Sequence, residues 1–255
     1  MSTTMLDTVR SERIKLTTVR STWWTLAALV VTGVAGTILL TGLNAEWLAS
    51  PEADESPGSF ITAGLQFSAI CAIVIGTLAA TAEYGTGMIR TTLAATPVRG
   101  RVMAAKAAVV AGVLFLAGTA TALLGYLGGN WFLDREGIGL SLEGAVARSM
   151  YGYGLCLAGL GLLALATGFI LRSTAMTISL LLAVLFVLTN LALLIPGEVG
   201  EWVVKLMPGN AEPAIATPVP FNPQLLDAWP GFGVFVAEVA ALVLLASYLL
   251  RRRDA

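Results

Sequence analysis

An all-α integral membrane protein with six transmembrane helices is the fold this sequence predicts, and three observations carry it. Of its 255 residues, 56% are hydrophobic and only 12% are charged, and the mean hydropathy is +0.82, outside the range of soluble domains. The apolar residues fall into six runs of about twenty, the length a helix needs to cross a hydrocarbon core about 30 Å thick. Each run is apolar on every face, whereas the strands of a membrane barrel would be half as long and alternate in polarity.

The first element precedes the membrane. Residues 1–21 carry four bases, and Met5, Val9, Leu16 and Val19 recur near helical spacing. This predicts an amino-terminal interfacial helix whose Arg13 and Arg20 snorkel toward lipid headgroups. The first apolar run is too long for a signal-peptide core and is followed by no convincing small-residue cleavage site, so it is expected to persist as a helix. The six spans are Thr22 to Gly42, Phe60 to Ala82, Ala107 to Leu127, Met150 to Leu171, Met176 to Ile195 and Gly231 to Leu250. Trp23 and Trp24 open the first run, and Trp47, Trp131, Trp202 and Trp229 fall outside the runs, where indole rings at headgroup level belong.

The links between spans differ in chemistry. Arg172-Ser173-Thr174 is so short that spans four and five must be antiparallel neighbours. Asn44 to Ser59 and Gly128 to Ser149 are acidic, contain glycine and read as irregular, with no folded domain. Pro196 to Pro230 holds seven prolines around "EVGEWVVKLM" and "FNPQLLDAW". It is either a pair of interfacial or re-entrant helical turns or a proline-rich surface loop. The chain therefore reads as one transmembrane domain, 1–255.

Basic residues are retained on the cytoplasmic side. With both termini inside, twelve of the fifteen Lys and Arg lie in the cytoplasm, and the outer segments keep Arg135, Arg148 and Lys205 among eleven carboxylates. A nearly neutral chain is thus strongly polarised along the membrane normal, which predicts a multi-pass protein of the cell membrane.

Several chemistries are excluded. With no His in the chain, His-based zinc sites, Ser-His-Asp catalysis and the usual proton shuttle are out; no metal site is expected. Cys71 and Cys156 sit near the middle of spans two and four and read as apolar packing. There is no GxxxxGK[ST] phosphate loop, so the chain is not expected to bind ATP or to be an enzyme. Nothing supports nucleic-acid binding.

Ionisable groups inside a span are functional suspects, because a charge in hydrocarbon must be paired, hydrated or neutralised. Glu238 in span six qualifies, either as a substrate-path or proton-linked carboxylate or as a helix-packing residue. Gln66 and Asn190 are weaker path candidates, and interhelical hydrogen bonding is their expected use. Gly125 with Gly129, and Ala104 with Ala108 and Gly112, predict close helix contacts on span three.

Between spans two and three lies "EYGTGMIRTTLAATPVRGRVMAAK", from Glu83 to Lys106. Its pattern predicts a short helix, a break at Thr96-Pro97, and a second helix starting near Arg99 that runs into span three. Arg99, Arg101 and Lys106 would hold it at the membrane surface; taken alone, these bases need only fix topology and bind anionic headgroups.

Glu-Tyr at the end of span two, Gly-Thr-Gly-Met-Ile-Arg, a Thr-Leu, a Pro, an Arg and a Lys heading span three resemble the type-2 permease subunits of ATP-binding-cassette exporters. The opening "SERIKLTTVRSTWWTL" is similar to the start of actinobacterial members. The resemblance covers essentially the whole chain. It implies a dimeric translocation path, formed with a second permease copy or homologue and driven by a separate ATPase subunit that binds ATP and Mg. A connecting helix would lie at about Leu6 to Arg20. A coupling element would comprise Glu83, Tyr84, Thr86, Met88, Ile89, Arg90, Leu93, Pro97, Arg99 and Arg101, with Trp23, Trp24 and Lys106 beside Arg13 and Arg20 as interfacial anchors in membrane lipid. The rival expectations are an ion-coupled secondary transporter and a non-transporting assembly or resistance factor.

Overall fold

The computed structural model describes residues 4–85, 87, 88, 91, 98–220, 222 and 225–252, and among them all regular structure is helical. Six helices are long and apolar enough to cross a membrane. They are α2 (Arg20–Leu48), α4 (Leu65–Gly85), α5 (Arg99–Arg135), α6 (Gly144–Leu171), α7 (Thr174–Ala192) and α10 (Ala228–Arg252), preceded by α1 (Met5–Thr18) and joined in part by the one-turn α3 (Pro57–Phe60).

Helix α1 starts at Thr4, whose hydroxyl accepts the Asp7 N–H at 3.2 Å while the Asp7 carboxylate accepts the Thr4 N–H at 3.0 Å, a reciprocal cap. It stops at Val19, which is extended, and the chain turns into α2. The Trp23 indole N–H braces this corner by donating to the Thr17 carbonyl at 2.8 Å. The expected helix is present and its apolar stripe is buried only in part, with Val9 and Leu16 half-buried. Thr8 and Glu12 are buried, while Met5, Leu6 and Val19 are exposed, because α1 turns a polar seam toward α5.

Four helices, α2, α5, α6 and α10, outrun their apolar runs, whereas α4 starts five residues into its run and α7 ends three residues before its run does. At 37 residues α5 is about 55 Å long, well beyond the 30 Å a hydrocarbon core requires. The irregular links expected at 44–59 and 128–149 are correspondingly shorter: α2 continues to Leu48, and only 136–143 separates α5 from α6. That loop is pinned by Tyr126 donating to the Leu140 carbonyl at 2.6 Å and by the Leu140 N–H donating to Asn130 Oδ1 at 2.7 Å.

Helices α4 and α6 form the centre, and glycines let the backbones meet. Gly76 of α4 lies against the Gly161 carbonyl of α6, and Gly64 lies against the Gly33 carbonyl of α2. Gly125 and Gly129 of α5 seat on Thr37 and Thr41 of α2, the close contact expected there. Ala104, Ala108 and Gly112 differ: they are exposed, and a side chain at Gly112 would meet nothing within 4 Å.

The bundle has two distinct ends. At the end carrying the termini, Arg99 Nη1 donates to the Leu250 carbonyl at 2.7 Å, and the hydroxyls of Thr81 and Thr174 lie 2.7 Å apart. At the opposite end, Ser59 donates to the Val219 carbonyl and Arg148 to the Thr217 carbonyl. The proline-rich segment belongs to this opposite end and is helical in pieces: α8 (Gly197–Leu206), α9 (Pro208–Ala211) and a 3₁₀ turn (Pro213–Ile215). It folds back between the long helices. Gly209 abuts the Leu185 carbonyl of α7, and the Cys156 thiol donates to the Glu212 carbonyl at 2.9 Å, about 18 Å along α6 from its first residue.

Candidate functional site

Helix α1 carries Glu12 and Lys15 three residues apart, on one face. Glu83 sits in the last turn of α4, and Lys106 in the second turn of α5. These four side chains, from three helices, meet at the terminal end. Lys106 Nζ donates to Glu12 Oε2 and to Glu83 Oε1, both at 2.6 Å. Lys15 Nζ donates to Glu12 Oε1 at 2.7 Å and to Glu83 Oε1 at 2.9 Å. Glu12 and Glu83 are each 5% exposed and Lys106 4%, with the Lys15 side chain at 29% the only member in substantial contact with the exterior. The set is electrically neutral. Burial alone would lower the Lys15 pKa, but the Glu12 and Glu83 carboxylates outweigh it and hold the ammonium above its usual value.

The cluster borders a cavity of about 290 Å³ between α1, the first turns of α2, and the adjoining halves of α4 and α5. Its remaining wall is mostly apolar, with Leu16, Ile75 and Val110 among its residues, and Met88 reaches it from the link. Helix α1 therefore meets the spans at one rim of a void, through the charge pairs and through the half-buried Leu16. The pairs join α1 to α4 and α5, while residues 86–98 join α4 to α5 through the chain itself.

The coupling residues separate into three groups. Glu83 and Lys106 are buried in the cluster, so Lys106 is a structural cation rather than a headgroup anchor: α1 covers the start of α5 and takes the place of lipid. Tyr84 and Arg99 tie helix ends together. The Tyr84 ring meets Phe169 edge-on at 6.2 Å, the Arg172 guanidinium lies 5.1 Å over it, and Arg99 caps the last turn of α10. Met88 is exposed and Arg101 half-exposed. Thr86, Ile89, Arg90, Leu93 and Pro97 lie outside the described residues. Arg13, Arg20, Trp23 and Trp24 are all exposed.

At the opposite end, Gln66 and Asn190 come together at a cavity of about 300 Å³, which Glu238 does not line. Asn190 Nδ2 donates within its own helix, to the Phe186 carbonyl at 2.6 Å, and not across to a neighbouring one. Helix α7 is wound as a π-helix over Ala183–Leu188 beside this cavity, an arrangement frequent at functional sites. The cavity also holds a carboxyl that the sequence pattern missed, Glu212, buried at 6% exposure. Glu238, half-buried on α10, has one oxygen enclosed without a hydrogen-bond partner.

Glu12 was equally hidden, since a Glu beside a Lys on a polar helix reads as a solvated pair. The one available signal is its spacing to Lys15, which shows the shared face but not what covers it. The sequence matches no protein-family model and no curated relative.

Proposed function

We propose that this chain is the membrane subunit of an ATP-binding-cassette exporter, forming with a second permease copy or homologue a translocation path driven by a separate ATPase. The observation that carries the reading is the buried Glu12–Lys15–Glu83–Lys106 cluster, which joins α1 to the two spans flanking residues 86–98. A chain with no phosphate loop must take its energy from elsewhere, and a motor outside the membrane can move spans only through an element rigidly joined to them. Charge placement favours putting this end in the cytoplasm of a cell-membrane protein, within reach of such a motor. The link would dock Met88, Ile89 and Leu93 into a groove of the ATPase, with its arginines orienting the contact. The segment carrying α8 and α9 would then be the outer re-entrant element.

The test is association. Replacing Ile89 and Leu93 together by Asp should abolish co-purification with a spanless ATPase encoded beside this chain, and ATP-driven transport with it, while the chain still inserts. Retained association and transport would remove the assignment.

A second reading, an ion-coupled transporter, draws on Glu212 and Glu238, two carboxyls enclosed among the helices. It requires flux that follows a proton or sodium gradient and needs no ATPase.

A further inference from the structure

The cavity at the opposite end of the bundle is a site built of acceptors. Glu212 Oε1 is enclosed and has no hydrogen-bond partner. Asn190 spends its amide nitrogen on the Phe186 carbonyl, and Asn210 spends its own on the Val204 carbonyl at 2.9 Å. Each amide oxygen is left without a donor, beside one remaining N–H. All three residues line one cavity, to which no Lys or Arg among the described residues contributes. Burial pushes the Glu212 carboxyl up to about 8, the response of a group deprived of a nearby cation.

A protonated primary amine has three N–H donors, one positive charge and no acceptor, which matches this surplus. The cavity wall also offers the Phe186 ring, on which a cation can rest, and Leu65, Leu160 and Leu193 for an apolar body. Gln66 and Asn190, both exposed, place the opening on the side of the bundle. We infer that this cavity binds the ammonium group of an amphiphilic primary amine entering from the side, with Glu212 as its counter-charge and Asn190 and Asn210 as hydrogen-bond acceptors. The inference rests on the exporter reading only in making that amine a cargo. A lipid headgroup carrying a primary ammonium has the same chemistry.

The full chain in phosphatidylcholine nanodiscs, without ATPase or nucleotide, is titrated with radiolabelled dodecylammonium, and empty nanodiscs correct for partition. Saturable binding is expected, at least tenfold tighter than that of dodecanol or of dodecyltrimethylammonium, which lacks N–H donors. Glu212→Gln should lose at least tenfold in affinity, and Asn190→Leu, on an exposed face, several-fold. Uptake equal to that of empty nanodiscs, no preference for the primary amine, or a folded Glu212→Gln chain that binds as before would overturn the site. Should Glu212→Gln not fold, undiminished binding by Asn190→Leu overturns it. Replacing phosphatidylcholine by phosphatidylethanolamine distinguishes the sources: lost dodecylammonium binding makes the occupant a lipid headgroup, and unchanged binding makes it a cargo. Because this binding needs no ATPase, a site that binds here while vesicles containing the chain and the ATPase show no ATP-driven transport removes the exporter reading and leaves the site.

Discussion

Lys106→Met should destabilise the chain by about 3–5 kcal/mol, because removing one partner of a buried ion pair leaves its counter-charge unmet. Lys106 is the better-buried cation and is shared by Glu12 and Glu83. Without it, two enclosed carboxylates must divide Lys15, whose own side chain is 29% exposed. Lys15→Met should cost less, since the more deeply placed Lys106 still bridges both acids. The double variant Glu83→Gln/Lys106→Met restores neutrality around the remaining Glu12–Lys15 pair and should recover a large part of the loss, a coupling that a cycle of the two substitutions measures directly. Unfolding in mixed micelles by increasing sodium dodecyl sulfate reads the stabilities. Additive effects of the two substitutions would mean that the cluster does not act as a unit.

The second large effect is expected at the centre of the bundle, where Gly76→Ala places a methyl group into the Gly161 carbonyl of α6. A side chain can swing aside, but a helix carbonyl cannot move without its whole turn, so α4 and α6 must separate. Overpacking of this kind typically costs about 1–3 kcal/mol, and contact with backbone puts Gly76 at the upper end. Gly112→Ala is the control, because a methyl group there meets nothing within 4 Å. Thermal unfolding in detergent should show a clear drop for Gly76→Ala and little change for Gly112→Ala. Equal behaviour of the two would contradict the packing described.

The six long helices were legible because hydrocarbon imposes one requirement, a run of about twenty apolar residues, and each run meets it. Their ends were not, because Asn130, Asp134 and Arg135 are polar yet helix-compatible, so α5 continues well past the last apolar residue. Tertiary pairing set the other limit. Nothing local marks Glu12 as a partner of Lys106, 94 positions later, and its spacing to Lys15 fits an exposed ion pair equally well. Lys106 has the sequence position of a headgroup anchor, and only the packing of α1 over the start of α5 makes it a buried cation. Glu212 stands in a proline-rich stretch with other acidic residues and looks like a surface carboxylate. Only the fold-back of α8 and α9 against α6 and α7 encloses it. Depth in a span marks Gln66 and Asn190 as polar residues but does not reveal that they share a cavity.

Drive from a separate ATPase docked at the terminal end is the function proposed for this chain. It is tested most directly by flux of an amphiphilic amine into inside-out vesicles containing the chain and a spanless ATPase encoded beside it. Flux should require hydrolysable ATP and the ATPase, persist when ionophores collapse the proton and sodium gradients, and disappear with Ile89 and Leu93 replaced by Asp. Flux that continues without the ATPase and stops when the ion gradients are removed would contradict the claim and select the ion-coupled mechanism.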